Sequence, residues 1–121
     1  MRVKKIKIGI KDLKTVLDDF VKTGEAIERG EKVKKETGIY FTSFEAFRKA
    51  LTPKRLELLR IIKTKKPSSI NELARVAQRD IKNVADDVKY LEQMGLIEKK
   101  ATDRKTKPVI KYDKIALEIA V

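Results

Sequence analysis

The chain has 121 residues, with 30 Lys and Arg against 18 Asp and Glu, a formal net charge of +12, and neither Cys nor His. Disulfides, thiolate or imidazole metal sites and His- or Cys-based nucleophilic catalysis are thereby excluded. With no GxxxxGK[ST] or GxGxxG phosphate loop and no acidic cluster at metal-loop spacing, the chain reads as a non-enzyme that needs neither cofactor nor metal.

From the N-terminus, Ile6, Ile8 and Ile10 alternate with Lys5, Lys7 and Gly9, the period-2 pattern of a short strand. Leu13, Val16, Leu17, Phe20, Val21 and Ile27 then fall on one stripe of an amphipathic helix over residues 11–28, loosened at Gly24. The polar stretch Gly30–Gly38, GEKVKKETG, reads as a linker. The arm that ends there holds too little apolar surface to fold alone, so it is expected to dock on its own domain or on a second copy. Ile39, Tyr40 and Phe41 predict a brief extended segment, and Ser43 caps a short helix carrying Phe44, Phe47 and Leu51. Phe41, Phe44 and Phe47 thus come close together, as a packing seam rather than a stacking platform for bases.

Thr52-Pro53 starts a helix, threonine as cap and proline where its missing N–H costs nothing, with Leu56, Leu59 and Ile62 turned inward and Pro67 enforcing the end. Ser69 and Glu72 have the spacing of a capping box, ahead of a two-turn helix that buries Ile70, Leu73, Ala74 and Ala77. After a turn at Gln78-Arg79, Asp80 caps the next helix, which Gly95 closes with Leu96 beyond it. Its inner side carries Ile81, Val84, Val88 and Leu91, and its outer side Lys82, Asn83, Asp86, Lys89 and Tyr90. Leu96–Ala101 and Pro108–Tyr112 predict two strands around a polar tip, Thr102–Lys107. In the tail, Ile115, Leu117, Ile119 and Val121 alternate with other residues, a strand expected to pair with the first one or across a dimer, because exposed edges are a liability.

These elements predict a mainly α fold with a small β part (α+β). A strand-helix arm and linker occupy residues 1–38, for dimerisation or partner binding. A winged helix-turn-helix with a C-terminal strand occupies residues 39–121. No run approaches about 18 apolar residues, and MRVKKIKIG lacks an apolar signal-peptide core. A cytoplasmic protein with no membrane partner is therefore expected.

The charge is unevenly spread: +4 over residues 1–38, +6 over 39–66, −1 over 67–96 and +3 over 97–121. A nearly neutral helix-turn-helix between basic flanks is the division expected when the flanks hold phosphates and one helix reads bases. With 22 Lys against 8 Arg, part of the excess matches the general surface habit of heat-adapted proteins.

The segments LTPKRLELLRIIK and SSINELARVAQRDIKNVADDVKYLEQMGLIEKK, with the wing up to Pro108-Val109, resemble the MarR/ArsR-type winged helix-turn-helix proteins of prokaryotes. More narrowly they resemble small predicted transcriptional regulators with a SFEAFRKALTPKRLELLR-like lead-in, some of them antitoxin-type. The resemblance spans about residues 42–112. It implies a sequence-specific regulator of double-stranded DNA. Two departures stand out. ArsR-type sensors generally bind metal through Cys or His, which this chain lacks, and the helix matched to the reading helix of the class presents Asp86 and Asp87 where such helices often carry Ser, Gln, Arg or His.

In this arrangement the third helix enters the major groove and the wing reaches the backbone or minor groove. Arg79 or Lys82 would donate to guanine, Asn83 or Gln78 would pair with adenine, and Asp86 would accept from a cytosine amino group. Lys89 and Tyr90 lie further back, at phosphates. Lys54, Arg55 and Ser69 at helix starts, and Arg104, Lys105 and Lys107 on the wing, would hold the backbone, Arg104 being the wing's candidate for a narrow minor groove. Asp87 is expected to pair within the protein. A homodimer reading two half-sites is expected, with the N-terminal strand and helix as interface. Two other readings fit the same residues: an antitoxin whose arm binds a toxin while its DNA binding serves autoregulation, and a sequence-neutral architectural nucleic-acid-binding protein.

Overall fold

A computed structural model describes residues 4–30 and 38–119. Among the described residues the elements run β1 (Lys5–Ile10), α1 (Leu13–Glu28), β2 (Gly38–Phe41), α2 (Phe44–Ala50), α3 (Pro53–Lys65), α4 (Ile70–Ala77), α5 (Ile81–Gln93), β3 (Glu98–Thr102), β4 (Lys105–Val109) and β5 (Lys114–Ile119). The fold is mixed α and β, with helix predominating, as the sequence patterns imply. The linker expected over Gly30–Gly38 lies, apart from its two end residues, outside the described residues.

The chain forms two compact units, one from the residues up to Ala50 together with the strand that starts at Lys114, the other spanning Leu51–Asp113. This regroups the sequence-based division at residue 38. β2, α2 and the C-terminal strand belong with β1 and α1, because the parallel pairing of β5 with β1 ties the end of the chain to its beginning.

In the first unit β1 is the central strand of a three-stranded sheet ordered β2-β1-β5, both pairings parallel. Ile8 stands opposite Ile39 on one side and Leu117 on the other. Ile8 and Ile10 are buried. The first and last strands therefore pair with each other, and with β2 on the other side both edges of β1 are covered. Gly9 faces Tyr40 in the register, and a Cβ at Gly9 would lie 2.7 Å from Cδ1 of the Tyr40 ring. The glycine that interrupts the strand pattern is thus the floor on which a tyrosine lies flat, and the Lys11 ammonium sits 4.9 Å from that ring's centroid.

Asp12 caps α1, its Oδ1 accepting from the Thr15 backbone N–H at 2.7 Å. The helix runs through Gly24 without interruption, and none of its residues is buried. Phe41 and Phe47 meet edge to face with centroids 5.8 Å apart, and Phe44 lies 5.9 Å from Phe47, so the aromatic seam forms.

In the second unit Thr52 caps α3 and accepts from the Arg55 N–H at 3.2 Å. The buried side chains are Leu51 ahead of α3, Leu58, Leu59 and Ile62 of α3, Leu73 and Ala74 of α4, Val84, Val88 and Leu91 of α5, then Leu96 and Ile97, with Pro67 and Pro108 also enclosed. Two inward assignments are corrected, for Leu56 is 43% exposed and Ile81 46%. The run LELL offers leucines around most of a helical turn, and only packing against α4 and α5 chooses Leu58 over Leu56. Ile81 is the first residue of α5 and lies at the rim.

The capping box is also altered. Ser69 accepts from Glu72 N–H, but the Glu72 carboxylate returns to the backbone and hydroxyl of Ser68, not to Ser69. No helix among the described residues is long and apolar enough to cross a membrane.

Replacing Gly9 by Ala should push the Tyr40 ring off the strand and destabilise the sheet by about 1–3 kcal/mol, the usual cost of overpacking. A thermal melt followed by circular dichroism reads this directly. An unchanged melting temperature would mean that Tyr40 swings away freely.

Candidate nucleic-acid interface

α4 ends in a left-handed residue that is not glycine: Gln78 has φ 55° and ψ 46°. The N–H of Arg79 bonds to the Ala74 carbonyl at 3.0 Å and that of Gln78 to Arg75 at 3.2 Å, so the helix closes in a Schellman pattern. Asp80 follows at once as the cap of α5, accepting from the Lys82 N–H at 2.8 Å. The turn is therefore two residues wide between a closing and an opening cap, which fixes the angle at which α5 leaves α4. At the far end Gly95, at φ 88°, closes α5, with Leu96 N–H on the Leu91 carbonyl at 2.9 Å.

Asp87 is the electrostatic centre of this unit. Its Oδ1 accepts from Arg55 Nε of α3 at 3.0 Å, and its Oδ2 from Arg79 Nη2 of the turn at 2.7 Å. All three side chains are about four-fifths buried, at 20, 19 and 17% exposure for Arg55, Arg79 and Asp87. Burial presses the Asp87 carboxyl towards neutrality, but the hydrogen bonds from Arg79 and Arg55 outweigh it and hold the group below the ordinary carboxylate range. The Arg55 guanidinium also lies 4.0 Å over the Tyr90 ring. One carboxylate thus ties α3, the turn and α5 together. The expectation that Asp87 pairs within the protein holds.

The arrangement redistributes the residues expected to meet DNA. Arg55 and Arg79 are engaged with Asp87, and Arg79 Nη1 is buried with no hydrogen-bond partner among the described residues. Tyr90 is covered on one face by Arg55. Ser69 is occupied as the α4 cap. Lys82, Asn83, Asp86 and Lys89 remain exposed on the side of α5 opposite Val84, Val88 and Leu91, and Gln78 and Lys54 are exposed as well. Lys82, Asp86, Lys89 and Gln93 step by four, three and four residues, so Gln93 extends this face although the sequence reading did not include it.

The wing is tighter than its expected six-residue tip. β3 and β4 pair in antiparallel register from Glu98 opposite Val109 to Thr102 opposite Lys105, leaving Asp103 and Arg104 as a two-residue turn. Both have positive φ, 35° and 70°, as a type I′ hairpin turn requires. The alternation puts Lys100, Lys105 and Lys107 on one face, with Lys100 directly opposite Lys107. Like charges directly opposed across strands are unfavourable unless an anion joins them. Lys100 is the other residue missed in the sequence, and a turn placed at Asp103-Arg104 would have found it through the register. The opposite face carries the buried Pro108.

Lys99 Nζ at the start of the wing lies 3.7 Å from Glu92 of α5, and the Tyr112 hydroxyl, beyond β4, donates to the Leu96 carbonyl ahead of β3 at 2.9 Å, closing the base of the hairpin. Burial raises the Tyr112 phenol well above its ordinary range. Among the described residues no group of three or more carboxylates could hold a metal ion.

Asp87→Asn should lose about 2–3 kcal/mol of stability at neutral pH, the range of charged hydrogen bonds with a buried partner left behind. Because the folded carboxyl is held below its ordinary value of 3.8, its contribution is complete above that pH and is lost as pH falls through the folded value. Urea unfolding of both proteins from pH 7 to pH 2.5 should therefore show curves that converge in acid. A gap that stays constant would remove the ion pair as the cause.

No curated protein and no solved structure matches the chain. The family model HVO_A0114 matches residues 50–117, from the end of α2 through the α3–α5 unit and wing into β5, which is more than half of the sequence, and the chain belongs to the HVO_A0114 family.

Proposed function

We propose that the protein is a sequence-specific double-stranded DNA-binding regulator of transcription, of the winged helix-turn-helix type that its sequence resembles in MarR/ArsR-type proteins. α5 enters the major groove, and the β3–β4 wing lies on the backbone or in the adjacent minor groove. The observation that carries this reading is the pose of α5. Its outward face of Lys82, Asn83, Asp86 and Lys89 is exposed while its flank is clamped through Asp87 to α3 and to the turn. A reading helix must be held rigidly at one angle to place three or four side chains on base edges.

Within this reading the roles divide differently from the sequence-based expectation. Lys82 donates to guanine and Asn83 pairs with adenine, while Asp86, midway along the face, accepts from a cytosine amino group and repels sites that offer only acceptors there. Arg79 and Arg55 act as positioning residues, holding the helix that reads. Phosphates fall to Lys54, to Lys89 and to the wing's Lys100, Lys105 and Lys107, with Arg104 at the tip. The opposed pair Lys100–Lys107 supports this, since a phosphate between them converts a repulsion into a bridge. The lysine-rich flanks supply an affinity that falls with salt, and the nearly neutral helix supplies selection.

Lys82→Ala and Asn83→Ala should each relax preference at one base position by about 1–3 kcal/mol. Lys105→Ala should weaken binding to all duplexes alike and reduce the slope of log affinity against log salt by about one. Selection of binding sites from random duplex, followed by salt titration on the selected and an unrelated site, measures both. Uniform losses for all three variants, or equal affinity for every duplex and for single strands, would replace this reading with a sequence-neutral one.

A further inference from the structure

α1 carries an apolar stripe that its own unit leaves uncovered. Leu13, Leu17, Phe20, Val21 and Ile27 are each more than half exposed, Phe20 at 78%. In a β1-α1-β2 crossover the helix would ordinarily bury such a stripe on the sheet. Along the helix, Leu13, Leu17, Phe20, Gly24 and Ile27 step by four, three, four and three residues. That is the seam of a two-helix coiled coil over the whole length of α1. Its one irregularity is Gly24, where an added Cβ would meet nothing within 4 Å. Glycine is disfavoured in a helix interior, and at the middle of an apolar seam it leaves a gap beside the largest side chain.

We propose that a second copy of this chain covers the stripe, α1 packing antiparallel on its counterpart with Phe20 of each copy seated over Gly24 of the other. The sequence of the helix fits itself in this register. When Phe20 faces Gly24, Leu17 faces Ile27, and the two-fold axis brings Val21 opposite its own copy. On the same flank Lys14 then stands opposite Glu28, twice over. A parallel pair would instead set Gly24 against Gly24, doubling the gap, and would leave Lys14 and Glu28 without each other. Antiparallel helices also align their dipoles favourably. Sixteen residues make a helix about 24 Å long, and two such stripes bury on the order of 1,000 Å², the lower end of specific interfaces. A dimer in the micromolar range follows. This inference goes beyond the DNA-binding reading and does not depend on it.

Sedimentation equilibrium of the full chain at low salt, from 1 to 200 μM on the scale of a weak interface of this size, tests it with four variants. The wild type is expected to pass from monomer to dimer across about this range. Phe20→Glu should remain monomeric with an unchanged circular dichroism spectrum, and Gly24→Leu should do the same by filling the slot. Lys14→Glu should weaken the dimer by about tenfold, since two attractive pairs become repulsive, and Lys14→Glu combined with Glu28→Lys should restore it. A wild type that stays monomeric throughout overturns the proposal, as does a dimer that survives both Phe20→Glu and Gly24→Leu. Failure of the charge swap to restore affinity overturns the antiparallel register. A fall in the melting temperature of monomeric Phe20→Glu relative to monomeric wild type would place the stripe against its own chain and also overturn it. DNA binding by the monomeric variants at one half-site is measured separately, so neither result stands in for the other.

Discussion

The bifurcated ion pair at Asp87 is the constraint on which the helical unit depends. Apolar packing of Val84, Val88 and Leu91 fixes which side of α5 faces inward, but it leaves the helix free to slide and roll by a fraction of a turn. Two guanidinium groups arriving from α3 and from the α4–α5 turn remove that freedom, because each bonds a different oxygen of one carboxylate. The arrangement is costly in desolvation, and apolar residues of similar volume would often stabilise a fold as well. What a charged clamp adds is orientation, and orientation is what a helix needs if its outward side chains are to meet a fixed pattern of donors and acceptors.

The same economy of arginine explains the charge distribution. Of the arginines near α5, two are consumed inside the unit, and the outward faces of α5 and of the wing are served by lysine. Lysine is a mobile point charge suited to phosphate, whereas arginine's planar fork suits a fixed partner such as Asp87. The near-neutral sum over residues 67–96 therefore conceals a division, Asp87 and Arg79 satisfied against each other inside the unit while Lys82, Asp86 and Lys89 stay exposed.

The second unit is an insertion in the sequence of the first. β1, α1, β2 and α2 precede it, and β5 returns after it to lie parallel to β1. Such a pairing joins residues more than 100 positions apart, and it brings both described ends of the chain into one sheet. A three-stranded parallel sheet is ordinarily covered by helices on its faces. Here the crossover helix instead turns an unburied seam outward, and the surface left for a second copy follows from that.

Much of this was legible in the sequence because it is local. Caps at Thr52, Ser69 and Asp80, the glycine stop at Gly95 and the period-2 strands at both ends announce themselves through backbone hydrogen bonding that a few adjacent residues decide. The outward face of α5 could likewise be counted from its period. What escaped was every choice between equivalent local options. Periodicity could not rank Leu56 against Leu58, could not see that a type I′ turn at Asp103-Arg104 would place Lys100 opposite Lys107, and could not choose between the first strand and a second copy as the partner of the C-terminal strand. Nor could it tell that Arg55 and Arg79, which by position and charge suit a phosphate or a guanine, are held by Asp87 from distances of 32 and 8 residues. The sequence by itself determined which segments are helix and strand and which faces are apolar. Only the tertiary structure decided which charges are already satisfied and which remain to meet a partner, since that depends on side chains brought within hydrogen-bonding distance by the packing of separate elements.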